Sequence, residues 1–149
     1  MKAFTVLFSF FLAVSSCNTN DTNEAEDQPV PLKGEAQKWE LVKMTGSMVN
    51  SETTGDAMEW QENYFLNPNG SFEKQRVYDG TTTKATGSYE LIVQEDEKYF
   101  ELTYETGKEL IASCSRNGKE ILVLNGSDAL YATWNACDGP GLEYRLVKE

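Results

Sequence analysis

From Gln37 onward, apolar and polar residues alternate one by one, and turn-forming residues break the alternation at intervals of about ten positions. That period suits short antiparallel strands and excludes amphipathic helices as the main element. Trp39 and Leu41 share one face of a first strand expected over Lys38 to Thr45, and a polar loop follows over 46–56. Met58, Trp60, Glu62, Tyr64 and Leu66 fall in phase on a second strand, which stops at Asn67-Pro68-Asn69-Gly70, where glycine accepts positive φ. A third strand, Ser71 to Tyr78, carries Phe72, Lys74, Arg76 and Tyr78 on one face and ends at Asp79-Gly80.

The pattern continues with Ala85 to Val93 and Lys98 to Tyr104, expected to pair across the acidic turn Glu95-Asp96-Glu97. Leu110 to Cys114 and Glu120 to Leu124 are expected to pair across Arg116-Asn117-Gly118, since Asn-Gly is a strong hairpin signal. Leu130 to Trp134 reads as a short strand or as a loop over a barrel mouth, and Leu142 to Val147 closes the chain. A meander of eight or nine strands removes its exposed edges most simply by pairing the last strand with the first. The expected fold class is therefore all-β: an antiparallel up-and-down β-barrel of about eight strands.

The N-terminus has a different character. Lys2 precedes an apolar run from Ala3 that stops at Ser15-Ser16-Cys17, short of the roughly 20 residues a spanning helix takes. A charged start, an apolar stretch and a small-residue end describe a secretory signal over 1–16. Val14-Ser15-Ser16-Cys17 resembles the lipobox of bacterial lipoproteins, which implies a mature chain beginning at Cys17 with its thiol carrying diacylglycerol and its amine acylated, for example by palmitate. Several acyl chains on one residue, at about 0.8 kcal/mol for each buried methylene, make such attachment effectively permanent. Residues 17–36 hold Asp21, Glu24, Glu26 and Asp27 with Pro29 and Pro31, the composition of a flexible acidic tether. Acidic residues soon after the lipidated cysteine resemble signals that send lipoproteins to the cell surface; a solvated spacer explains them equally well. The organisation expected is signal peptide, tether, and one barrel domain over 37–149 in the cell envelope, at the outer membrane.

Thirteen basic and 24 acidic residues leave a net charge of −11, which opposes binding to nucleic acid and to anionic lipid surfaces. The chain contains no histidine, and with it go the usual general base, the usual activator of a serine or cysteine nucleophile and the commonest metal ligand. No enzyme, metal site or cofactor is expected. With Cys17 lipidated, Cys114 and Cys137 remain as an even pair in an oxidising compartment, where a disulfide is the common outcome.

The Trp-x-Leu first strand, the aromatic second strand with its Asn-Gly turn followed by Phe72, the Gly87 to Tyr89 strand and the final Tyr144-Arg145-Leu146 together resemble the lipocalin-like domains of small bacterial lipoproteins. The resemblance spans about 110 residues and departs from lipocalins at Gln37, where they carry glycine. It implies a barrel able to bind a small apolar or amphipathic molecule, with Trp39 across the barrel floor beneath Arg145. By phase, Trp60, Tyr64, Phe72 and Tyr89 are candidate walls of a ligand cavity, although an eight-stranded barrel is equally able to fill its interior with side chains.

Lys74 and Arg76 are the oddity, because they share a face with Phe72 and Tyr78. Two readings stand: a strand end open to solvent, or a cationic spot for a ligand carboxylate. On the second reading, replacing both by methionine weakens binding of a fatty-acid-like anion without unfolding the domain. Two functions follow for the whole, a barrel that binds a small apolar or amphipathic ligand, or an adaptor whose filled barrel offers its surface to another envelope protein.

Overall fold

The computed structural model describes residues 34–114 and 117–148. The expected signal peptide, the lipid-accepting Cys17 and nearly all of the tether lie outside the described residues. Nine strands are present: β1 (Gln37–Thr45), β2 (Glu52–Thr54), β3 (Gln61–Leu66), β4 (Ser71–Tyr78), β5 (Thr81–Gln94), β6 (Glu97–Thr106), β7 (Lys119–Asn125), β8 (Ala129–Ala132) and β9 (Gly141–Leu146).

Every pairing is antiparallel, in the order β1-β3-β4-β5-β6-β7-β8-β9, and β9 returns to β1 with Leu41 opposite Tyr144 and Met44 opposite Leu142. Eight strands thus close into a barrel, while β2 lies along the far part of β1, with Lys43 opposite Thr54. Closure satisfies backbone groups that an open meander would leave on two edges. No helix among the described residues is long and apolar enough to cross a membrane.

Because the strands run alternately up and down, the connections gather at two ends. The entry end holds the start of β1, the tight turns after β3, β5 and β7, and the end of β9. The loop end holds the longer segments 46–60, 107–118 and 133–140.

Period-two alternation selects which side chains go in. Trp39, Leu41, Tyr64, Leu66, Phe100, Leu102, Leu122 and Tyr144 are buried, as their phases require. One strand is shaped by what it lacks: Gly87 on β5 faces Phe72 on β4, and a Cβ at Gly87 would sit 2.0 Å from the Thr103 carbonyl oxygen and 2.7 Å from the Phe72 ring. The missing side chain gives that ring its place, and the β5–β6 register shifts between Thr86 and Gly87.

Three expectations are corrected. Leu110 to Cys114 is not a strand, and β7 pairs with β6 instead of with this segment, which forms a short 3-10 turn over Lys108–Leu110 and then an irregular stretch. The loop at 46–56 contains β2 and the start of a 3-10 turn, Gly55–Ala57, and β3 begins only at Gln61, although Met58 and Trp60 are still buried. Arg145 does not stack on Trp39. Tyr144 points inward, so its neighbour points outward, where Arg145 Nη2 donates to Glu143 Oε1 at 2.7 Å and Nη1 lies 3.6 Å from Asp128 Oδ1. Trp39 is buried and donates its indole N–H to Gln37 Oε1 at 3.2 Å.

Candidate functional site in the barrel interior

Lys74 and Arg76 on β4 point inward with Phe72, as their phase requires, but they meet carboxylates and not an open cavity. Lys74 is 0% exposed. Its ammonium donates to the Leu110 carbonyl oxygen at 2.6 Å and lies 3.1 Å from Glu62 Oε1 on β3 and 3.3 Å from Glu120 Oε1 on β7. The ammonium thus donates to a carbonyl and to one carboxylate and is paired by charge with a second. The same nitrogen sits 4.8 Å from the centre of the Tyr64 ring, where the ring's negative face adds to the attraction. The solvated reading of Lys74 is thereby overturned.

Both carboxylates are equally well supplied. Glu120 accepts from the Tyr64 hydroxyl at 2.8 Å, the Tyr104 hydroxyl, the Ala112 backbone N–H at 3.1 Å and Lys74. Glu62 accepts from the Tyr144 hydroxyl at 2.6 Å and from Arg76 Nε at 2.5 Å, and forms an ion pair with Lys74. Moving ions out of water costs several kcal/mol for each, so such a cluster persists only when nearly every lone pair and proton is paired. Here two cations, two carboxylates and three phenols pair with one another inside the barrel, with Arg76 Nη2 left over.

The phenols stay protonated by their surroundings. Burial, the largest influence, and then the charges of Glu120 and Glu62 push Tyr64, Tyr104 and Tyr144 far above the ordinary tyrosine value. At Arg76 burial alone pulls toward the neutral form, but the attraction of Glu62 and its hydrogen bond prevail and hold the guanidinium charged.

The cluster also explains the loop that is not a strand. Leu110 and Ala112 are buried, and their segment has no ladder partner. Its Leu110 carbonyl and Ala112 N–H are instead taken by Lys74 and Glu120. Segment 107–114 thus folds over the loop end of the barrel, and its Cys114 is bridged to Cys137 in the 133–140 loop, with the two Cα atoms 5.7 Å apart. The disulfide ties two loop-end connections together.

The six candidate ligand contacts are all on the inner side and are spread from the entry end to the loop end. Tyr64 and Lys74 belong to the ionic cluster. Phe72 packs edge-on against Tyr104, with centroids 4.9 Å apart, and Tyr89 packs against Phe100 at 5.7 Å. The Tyr89 hydroxyl donates to the Asn67 carbonyl at 2.6 Å, which places it at the entry end. Trp60 and Arg76 lie toward the loop end, with the guanidinium carbon 4.4 Å from the centre of the indole ring. A cleft of about 500 Å³ lies on the outer side of the barrel, lined by Lys98, Val123, Tyr131 and Asn135 among others.

Glu62, Glu120, Tyr104 and Tyr144 are the residues of the interior cluster that reading the sequence for ligand contacts passes over. Their signal was available, since Glu62 is in phase with Trp60 and Tyr64, and Glu120 is in phase with Leu122 on its own strand. Two inward cations and two inward anions on separate strands are the mark of an internal salt network. No protein-family model, curated protein or solved structure matches this chain.

Proposed function

We propose that this protein is a lipid-anchored lipoprotein of the bacterial envelope whose filled, lipocalin-like barrel is a non-enzymatic adaptor that presents its outer surface to another envelope protein. The observation that carries this reading is the pairing of Lys74 and Arg76 with Glu62 and Glu120 inside the barrel. A cation spent on an internal carboxylate is not free to hold a ligand carboxylate, and segment 107–114 lies across the end through which an amphiphile would enter.

The exposed apolar side chains support the same reading. Met48 and Val49 are 78% and 92% exposed in the loop after β1, and Val77 and Tyr78 are 40% and 53% exposed at the β4–β5 hairpin. All four are at the loop end, opposite the end where the tether joins β1, while the less exposed pair Val93 and Val147 lies at the entry end. An anchored barrel would hold that end away from its own bilayer. Exposed apolar residues of this kind serve as the centre of a contact surface.

Native mass spectrometry of the protein purified from its own host tests the proposal. A stoichiometric protein partner, released by Val49→Asp with Tyr78→Asp, is the expected result. A co-purifying amphiphile in place of a protein would overturn it in favour of the ligand-binding reading. The anchor is tested separately, since Cys17→Ala is expected to move the protein from the membrane fraction to the soluble fraction.

A further inference from the structure

The ionic cluster satisfies nearly every buried polar atom it contains, and the exceptions lie together. Among the described residues, Arg76 Nη2 and Trp60 Nε1 are buried donors with no hydrogen-bond partner. Trp60 is 8% exposed and the Arg76 side chain 14% exposed, so neither donor is served by open solvent. The guanidinium carbon is 4.4 Å from the centre of the indole ring, so the side chains that carry these two orphaned donors are in contact. A buried donor left unpaired loses the full value of its hydration, so two of them on contacting side chains are unusual in a network otherwise so well paired.

We infer that Arg76 and Trp60 form a two-donor site, near the loop end of the barrel, for the oxygen of a neutral carbonyl ligand. Both groups can only donate, which requires an acceptor. The charge count selects a neutral one. Facing this part of the interior are Lys74 and Arg76 against Glu62 and Glu120, two positive and two negative groups, so the cluster is balanced before anything binds. A carboxylate would add an uncompensated charge beside Glu62 in a chain whose net charge is already −11. An amide or ketone oxygen takes both hydrogen bonds without that cost. Arg76 is held in place by its Nε bond to Glu62, and Trp60 by the guanidinium over its ring, so the donors are set before a ligand arrives. The inference is independent of whether the outer surface meets a protein.

The test uses the full chain with nitrogen-15 in its tryptophans, observed through their indole N–H signals. N-methylacetamide is titrated in, with sodium acetate at matched ionic strength and a capped glycine peptide in parallel. The Trp60 signal is expected to shift saturably with N-methylacetamide, while those of Trp39 and Trp134 stay in place. Tighter binding of the peptide would assign the carbonyl to a polypeptide, and equal or weaker binding to a small molecule. Arg76→Lys, which keeps the charge and removes Nη2, should weaken the response at least tenfold. Trp60→Phe keeps a ring beneath the guanidinium and removes the indole donor, and its response to N-methylacetamide, read at the Arg76 Nε–H signal of uniformly labelled protein, should weaken likewise. A Trp60 signal that ignores every probe, or that saturates with acetate and not with the amide, would overturn the inference.

Discussion

Lys74 Nζ on β4 lies 3.3 Å from Glu120 Oε1 on β7 across the interior of the barrel, with β5 and β6 between the two strands in the sheet. A second carboxylate, Glu62 on the neighbouring β3, stands 3.1 Å from the same nitrogen. The ammonium is therefore a link between opposite walls, and its loss would leave two buried carboxylates facing each other.

Removing one partner of a buried ion pair costs about 3 to 5 kcal/mol, because the remaining charge keeps its desolvation penalty and loses its compensation. Lys74→Met should lower stability by that amount in urea unfolding. This reverses the expectation that methionine at 74 and 76 spares the fold. Glu120→Gln added to Lys74→Met should cost less than the two single changes summed, since it removes one of the stranded charges. A Lys74→Met protein with an unchanged unfolding midpoint would show that the link contributes nothing.

The phenols predict an alkaline limit. Tyr64, Tyr104 and Tyr144 are raised above the ordinary value of 10.0 by burial first and by the neighbouring carboxylates second. A group whose folded value is raised contributes stability that is complete below its unfolded value and is lost as pH climbs above it. Stability should therefore fall steadily above about pH 10, by up to about 1.4 kcal/mol per pH unit for each of these phenols. In a phenolate absorbance titration, the three interior phenols should ionise only with the loss of circular dichroism. Ionisation of Tyr64, Tyr104 and Tyr144 in a protein that keeps its circular dichroism would contradict this.

The barrel was legible in the sequence because strand phase is a local property. Trp39, Tyr64, Phe100 and Tyr144 each reveal their face through their neighbours at two positions away, and the wish to hide two edges implies β1–β9 closure. Segment 110–114 was not legible. Leu110 and Ala112 alternate like a strand beside an Asn-Gly signal, but their backbone partners are the side chains of Lys74 and Glu120, which are 36 and 8 residues away. Such bonds follow from the assembled interior and leave no periodic trace. For the candidate site, inward phase identified Lys74 and Arg76 correctly as oddities; what they bind required knowing that Glu62 and Glu120 arrive from other strands.

The disulfide should act mainly on the loop end. Cys114 and Cys137 are 23 residues apart in sequence, and closing a loop of that length contributes about 3 kcal/mol in the chain-entropy model. Cys114→Ser with Cys137→Ser should lose roughly that much while leaving the barrel strands paired. Hydrogen exchange should then speed up first in 107–114 and 133–140, ahead of β3 to β6. Uniform acceleration throughout the barrel would mean that the bridge supports the whole fold and not its loop end.

Gly87 makes the sharpest packing prediction, because the obstruction there is backbone. A methyl at position 87 would stand 2.0 Å from the Thr103 carbonyl oxygen on β6 and 2.7 Å from the ring of Phe72 on β4, so β6 and Phe72 must both give way. Phe72 has little freedom, since its ring is packed edge-on against Tyr104, whose hydroxyl donates to Glu120. Strain at Gly87 is thus passed to the ionic cluster through two aromatic side chains. Overpacking of this kind costs about 1 to 3 kcal/mol, and Gly87→Ala should show it as a lower urea midpoint. Because the obstruction at Phe72 is a side chain and that at Thr103 is not, Phe72→Leu in the Gly87→Ala background should recover only part of the loss. A Gly87→Ala protein as stable as the parent would mean that β5 and β6 can separate locally without disturbing the interior, and that Phe72 does not depend on the missing side chain for its place.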